Sequence, residues 1–341
     1  MGLSFVPGGF VVAVIIGVCQ ANAATLNATP RTFHDVIVRA HSGDTLVLAA
    51  GDYGTVEIAD LKFEPPLTVD ARAAAFKGLW LKRVKGLTLR GGAYRLPPSV
   101  VNPRSGNTIS GAAVRMDGVE RVTLTGALML GPGAGGERAH APYGDGYGVF
   151  VLQAANVQIS DGRFEGFKSG IVLGRSRDFS ISRNHFTGMR SDGIQVAEAR
   201  QGVIEGNICG GTRIRDDEHP DCIQLWSRPT SPPTADIQIR GNRAEGPTQG
   251  ISLFNHVRDG VNDGGFDRIL IEDNDLKVGY PHAIALVDGR DSIVRNNRVE
   301  TYEGARFRAS INLTGASIKR CGNTVAPGAG KSGMKDPPCE N

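Results

Sequence analysis

Seven short segments of this 341-residue chain can be laid one under another: GVFVL (148–152), GIVLG (170–174), GIQVA (193–197), CIQLW (222–226), GISLF (250–254), AIALV (283–287) and SINLT (310–314). Their first residues fall 22, 23, 29, 28, 33 and 27 positions apart, and a self-similar period of that size means stacked structural repeats. Between them runs a second apolar segment that ends in Asn: ISRN (181–184), IEGN (204–207), IRGN (239–242), IEDN (271–274) and VRNN (294–297). Asn tolerates a left-handed turn, and stacked Asn side chains can hydrogen-bond one above another. The pattern predicts an all-β chain, a right-handed parallel β-helix. Each coil contributes two or three strands that pair with the coils above and below.

The ends of a solenoid need covers. Phe33, Val36, Ile37 and Ala40 fall at helical spacing, which predicts a short N-terminal capping helix over about residues 29–41. Less regular coils follow at VEI (56–58), LTV (67–69), LWL (79–81), LTL (87–89), VRM (114–116) and VTL (122–124), and the Gly- and Pro-rich end reads as irregular. The expected organisation is a signal peptide over 1–23, a cap with the first strands over 24–54, the parallel β-helix over 55–326 and an irregular tail over 327–341. The signal reading rests on the apolar run at 10–19 followed by small residues up to Ala23, although no Lys or Arg precedes it. Four cysteines remain beyond it, and proximity in sequence pairs Cys209 with Cys222 and Cys321 with Cys339. A secreted or periplasmic monomer without stable membrane insertion is expected.

Composition narrows the partners. Lys and Arg number 38 against 35 Asp and Glu, and only 6% of residues are aromatic, which argues against a nucleic-acid binder and leaves an acidic polysaccharide open. No phosphate loop, dinucleotide fingerprint, Cys/His zinc spacing or nucleophile elbow is present.

Side chains alternate across a strand, so in CIQLW the apolar Ile223 and Leu225 face in while Gln224 and Trp226 face out. The same register turns Gln195 and Phe254 outward. One position before each strand stand Ser169, Asp192, Asp221, Gln249 and His282, a polar line along the solenoid. Coils stack at about 4.8 Å, so Asp192 and Asp221 would be neighbours, able to raise each other's proton affinity or recruit a cation. An Asp before Gly can equally cap a turn through backbone hydrogen bonds. Stretches 209–220 and 227–236 bracket this coil as loops able to wall a cleft. No cofactor is implied with certainty. Calcium is the one ion that Asp192, Asp216, Asp217, Glu218 and Asp221 could hold, yet their spacing matches no dense metal motif.

Three resemblances follow from quoted residues. SGDTLVLAAGDYG (42–54) resembles the opening of secreted β-helix polysaccharide lyases, in the pectate-lyase-like superfamily. The series RSDGIQV, HPDCIQL and TQGISLF resembles the polygalacturonase family of glycoside hydrolases, with Asp192 and Asp221 at two of that family's acids. Pro220 and Gln249 depart from it, standing where the family has an Asp and a His. The lyase resemblance implies β-elimination on a uronate polymer. In that reading Arg200, Arg228 and Arg258 neutralise the carboxylate, while His219, His256, Lys168 or Tyr147 move protons. Gln195, Gln224, Trp226, Phe254 and Asn255 would hold sugar. Tyr143-Gly144-Asp145 and His219-Pro220-Asp221 echo mannuronan C5-epimerases. The expectation is an acidic-polysaccharide lyase, with a hydrolase using Asp192 and Asp221, an epimerase, or a non-catalytic glycan-binding protein as alternatives.

Overall fold

A computed structural model describes residues 23–96, 100–101, 108–109, 111–134, 146–214, 218–227, 233–327 and 332–340. Residues 1–22 of the expected signal segment, Tyr143, Gly144, Asp145, Arg228, Asp216 and Asp217 lie outside them. The chain winds as a right-handed parallel β-helix whose coils each add a rung to three parallel stacks. Stack one includes Tyr147–Leu152, Ser169–Gly174, Ile194–Ala197, Asp221–Trp226 and Gln249–Phe254. Stack two includes Ala155–Ser160, Arg177–Ser182, Arg200–Glu205, Thr234–Arg240 and Phe266–Glu272. Stack three is built of shorter strands such as Arg163–Glu165, His185–Thr187, Ile208–Gly210 and Arg243–Gly246.

Inside, like sits on like. Val149, Ile171, Ile194, Ile223, Ile251 and Ile284 occupy equivalent positions on successive rungs, and each is fully buried. Such columns exclude water along the whole axis, at about 25 cal/mol per Å² of apolar surface removed from it. The glycine that opens each repeat has a packing reason. A Cβ at Gly170 would stand 2.4 Å from the Phe186 ring, and one at Gly148 would stand 2.6 Å from Phe164. Here two successive residues turn inward, so strict alternation breaks at the strand's start and the residue before the glycine swings outward. One coil beyond Phe186, Cys209 replaces the ring and is disulfide-bonded to Cys222 of stack one. The second expected bridge, Cys321 to Cys339, ties the tail to the last coil.

The Asn ladder runs between stacks two and three. The side-chain amide of Asn184 donates to Asn207 Oδ1 at 3.1 Å, Asn207 to Asn242 at 3.0 Å, Asn242 to Asn274 at 3.0 Å, Asn274 to Asn297 at 2.9 Å and Asn297 to Asn323 at 2.8 Å. Each Oδ1 also accepts the backbone N–H of the Asn one coil earlier. At the far end Asn323 donates to Asp336 Oδ2 at 2.7 Å, and Arg320 holds that carboxylate from the other side. The capping helix is shorter than expected, Phe33–Ile37, because one turn suffices to bury Phe33 and Ile37 over the first coil and little else supports a longer helix. No described helix is long and apolar enough to cross a membrane.

Candidate active site

The outward swing before each glycine brings the predicted polar line together. Tyr147 pairs with Ser169, the register of Ile171 with Ile194 and of Ile194 with Ile223 continues the line through Asp192 to Asp221, and Asp221 pairs with Gln249. Three residues on, Gln195 pairs with Gln224 and Gln224 with Ser252; two further on, Ala197 pairs with Trp226 and Trp226 with Phe254.

Asp192 and Asp221 are 2% and 1% exposed. Asp192 accepts the backbone N–H of Asp221 at 2.9 Å, the Ser191 hydroxyl at 3.2 Å and the Gln195 amide. It therefore does cap the next rung, as an Asp at such a turn can. Asp221 accepts the Gln224 amide at 2.9 Å, and Gln224 Oε1 in turn accepts the Trp226 indole N–H at 2.5 Å. That indole fixes which way the Gln224 amide points. Asp221 Oδ1 is buried and has no hydrogen-bond partner among the described residues, while the Ser252 hydroxyl donates to Gln249 Oε1 at 3.2 Å.

Burial pushes the Asp192 carboxyl up to about 6, against the hydrogen bonds from Asp221, Gln195 and Ser191 and the nearby charge of His219. Burial first and the Asp192 charge second push Asp221 well above the ordinary carboxylate range, with Ser252 and Gln224 opposing. Two acids one rung apart in a low-dielectric setting cannot both ionise freely, so they titrate as a pair. Among the described residues no group of three or more His, Cys, Asp or Glu could hold a metal ion.

Other predicted residues divide clearly. His219 is exposed, and its charge is felt by Asp192 and His282. Trp226 meets the His256 ring at 5.1 Å, and Phe254 meets His282 edge-on at 5.4 Å, so both aromatics stand at the site's downstream flank. The half-buried Tyr147 is raised by its burial and by Asp192, with Arg190 opposing. Lys168 is half-buried one residue before the polar line. Three residues expected to contact sugar stand apart from the acid pair. Asn255 commits its amide to Asn262 and Asp288 at 3.0 Å each and its oxygen to Ser227 at 2.6 Å, holding a loop. Arg258 lies in the exposed hairpin of Val257–Arg258 and Val261–Asn262. Arg200 faces the corner groove between stacks one and two. Sequence reasoning missed Arg190, which is 7% exposed and ion-paired with Glu218 at 3.2 Å. It stands in a connecting turn without periodicity, so only its place two residues before Asp192 could have flagged it.

Residues 105–258 match the family described as right handed beta helix region. Among solved structures, the pectate lyase Pel9A is similar with a TM-score of 0.58 and 11% identity, over 89% of this chain and 80% of that one. An endo-xylogalacturonan hydrolase from Aspergillus tubingensis gives 0.59 and 11%, over 88% and 95%. PfbA, a surface adhesin of Streptococcus pneumoniae, gives 0.51 and 11%, over 84% and 82%. No curated protein matches the chain by sequence. Identities this low speak for architecture alone, and with the three stacks described above they make this chain a right-handed parallel β-helix protein.

Proposed function

We propose that the chain is a carbohydrate-active enzyme that hydrolyses an acidic polysaccharide, with Asp192 and Asp221 as its acid–base pair. The observation that supports this most is the pair itself: two carboxyls on adjacent rungs, buried, amide-oriented and raised in proton affinity. Glycoside hydrolysis asks for one carboxyl that keeps its proton and one that has lost it. We assign the proton to Asp221, which burial and the Asp192 charge raise well above the ordinary carboxylate range, and the ionised role to Asp192, at about 6. Asp221 then protonates the leaving oxygen, and Asp192 takes the proton of the attacking water. Trp226 and Phe254, on adjacent rungs, offer apolar faces to sugar rings. Among the described residues Arg200 and Arg258 stand apart from the carboxyl pair and Arg190 is matched by Glu218, which weighs against an elimination that must neutralise a uronate there. The two disulfides suit an oxidising compartment outside the cytoplasm.

Elimination is the second reading, favoured by one observation: the Tyr147 phenol lies within reach of the charges of both Arg190 and Asp192. Incubation of the protein with pectate, alginate, glucuronan and glycosaminoglycans separates the readings. Hydrolysis yields new reducing ends without ultraviolet absorbance. Absorbance from an unsaturated sugar would establish the lyase instead, and binding with no change in polymer length or sugar configuration would leave a glycan-binding protein like an adhesin.

A further inference from the structure

A groove of about 580 Å³ runs along the corner where stack one turns into stack two, at the opposite end of the strands from Asp192 and Asp221. Its charged lining is Lys85, Arg175, Arg177 and Arg200 against Glu120 and Glu198, so 4 − 2 leaves +2 in one groove. The whole 341-residue chain sums to only +3. Register explains how the cations gather. Lys85 pairs with Glu120, Glu120 with Ala155, Ala155 with Arg177, and Arg177 with Arg200, all on one line of successive rungs. Arg177 and Arg200 are thus like charges about 4.8 Å apart at the backbone, an unfavourable arrangement without an anion between them.

Three of the cations have acids at hand. Lys85 meets Glu120 at 2.6 Å, Arg175 meets Glu198 at 3.0 Å and Arg177 meets Asp178 at 2.6 Å. The Arg200 side chain makes no hydrogen bond or ion pair with any described residue, and its Nε is a buried donor without an acceptor. Asp236 feels its charge but is committed to Arg268, at 2.6 and 2.8 Å. The backbone holds this corner in place. Arg175, Asp178, Glu198 and Gln201 all take positive φ, at 49°, 55°, 54° and 55°, on two consecutive coils. A side chain disfavours this left-handed backbone, so none of the four positions is a casual bend.

We propose that this groove is an anion subsite, separate from the acid pair, that closes Arg177 and Arg200 on a carboxylate or sulfate of a glycan. Guanidinium forks match such planar or tetrahedral oxyanions with paired N–H donors. The lining contains no aromatic side chain on which nucleic-acid bases could stack, which weighs against a single-stranded nucleic acid. The inference rests on the reading that the substrate is an acidic glycan, and on no particular reaction.

The test is calorimetric titration of the full chain with hexagalacturonate, a sulfated chondroitin hexasaccharide and neutral cellohexaose. At least one acidic hexamer should bind tenfold or more tightly than cellohexaose, the preferred one telling carboxylate from sulfate. Arg200→Gln should weaken that binding about five- to tenfold and flatten its salt dependence. The exposed Arg177→Gln, a substitution with little folding risk, should act in the same direction, with melting temperatures checked for both. Wild-type affinity in both variants overturns the proposal. So does equal affinity for cellohexaose, absence of binding to either acidic hexamer, or tighter binding of hexathymidylate. Because turnover is not the readout, a protein that hydrolyses nothing can still uphold the subsite, and an active one can still refute it.

Discussion

Two lines of buried polar side chains run parallel to the coil axis, and they follow opposite rules. In the Asn ladder every member is neutral and 0–1% exposed, and each amide finds a backbone carbonyl and the next side chain along, an Asn or, at the far end, Asp336. In the line through Ser169, Asp192, Asp221 and Gln249 burial is similar, yet two members are acids held against their ordinary protonation, and Asp221 Oδ1 and Ser169 Oγ have no described partner. A satisfied buried network rigidifies, whereas a partly satisfied one stores free energy that a ligand can release. Depth of burial does not separate the two lines; hydrogen-bond satisfaction does.

The largest effect should come from Asp221→Asn. We expect initial rates, measured as reducing ends on the responsive polymer, to fall about 10²–10⁴-fold, because a positioned proton donor is gone. The melting temperature at neutral pH should hold or rise. A fall in stability without loss of rate would make Asp221 another structural rung and erase the contrast.

Next comes the ladder. Asn242→Ala removes the donor to Ile204 O and Asn274 and strips the Asn207 amide of its acceptor. Leaving those buried groups unpaired should cost about 1–3 kcal/mol, read as a lower urea midpoint at unchanged m-value, with turnover per folded molecule intact. An unchanged midpoint would mean that the ladder is ornamental.

The pH dependence of stability sharpens the acid line itself. A carboxyl whose folded pKa is raised favours folding below its unfolded value, and that contribution is lost as pH rises through the folded one. For Asp192 the window runs from the ordinary carboxylate range up to about 6. Wild-type stability should therefore decline by up to about 3 kcal/mol across that window relative to Asp192→Asn, whose curve should be flatter. Parallel pH curves for the two proteins would show that Asp192 is not strained by its burial.

The fold was legible because its two constraints repeat. Glycine is required wherever an aromatic of stack three leans on stack one, and Asn wherever the ladder passes, so both recur at coil spacing. Gln195 and Gln224 were legible for the same reason, since strand register decides where they point, and Asp192 and Asp221 because polar residues recur at the position before each repeat. The residues after the strands were not. Positive φ at Arg175, Glu198 and Asp288 turns the chain sharply at the corner, and Arg200, Asn255 and Arg258 take up places apart from the acid pair. Arg190 was invisible for a related reason: a turn residue belongs to no period.

The ladder also separates two quantities that most folds keep linked. Its successive members are 23, 35, 32, 23 and 26 residues apart in sequence, while the amide contacts between them stay at 2.8–3.1 Å. Twelve extra residues in one coil therefore leave the stacking unchanged and emerge as loop. Loop entropy grows slowly, by about 0.6 kcal/mol per doubling of length. Walls beside the acid pair can thus be lengthened, trimmed or exchanged in inheritance with the scaffold held fixed, so that one set of rungs can be refitted to a new polymer by editing loops alone.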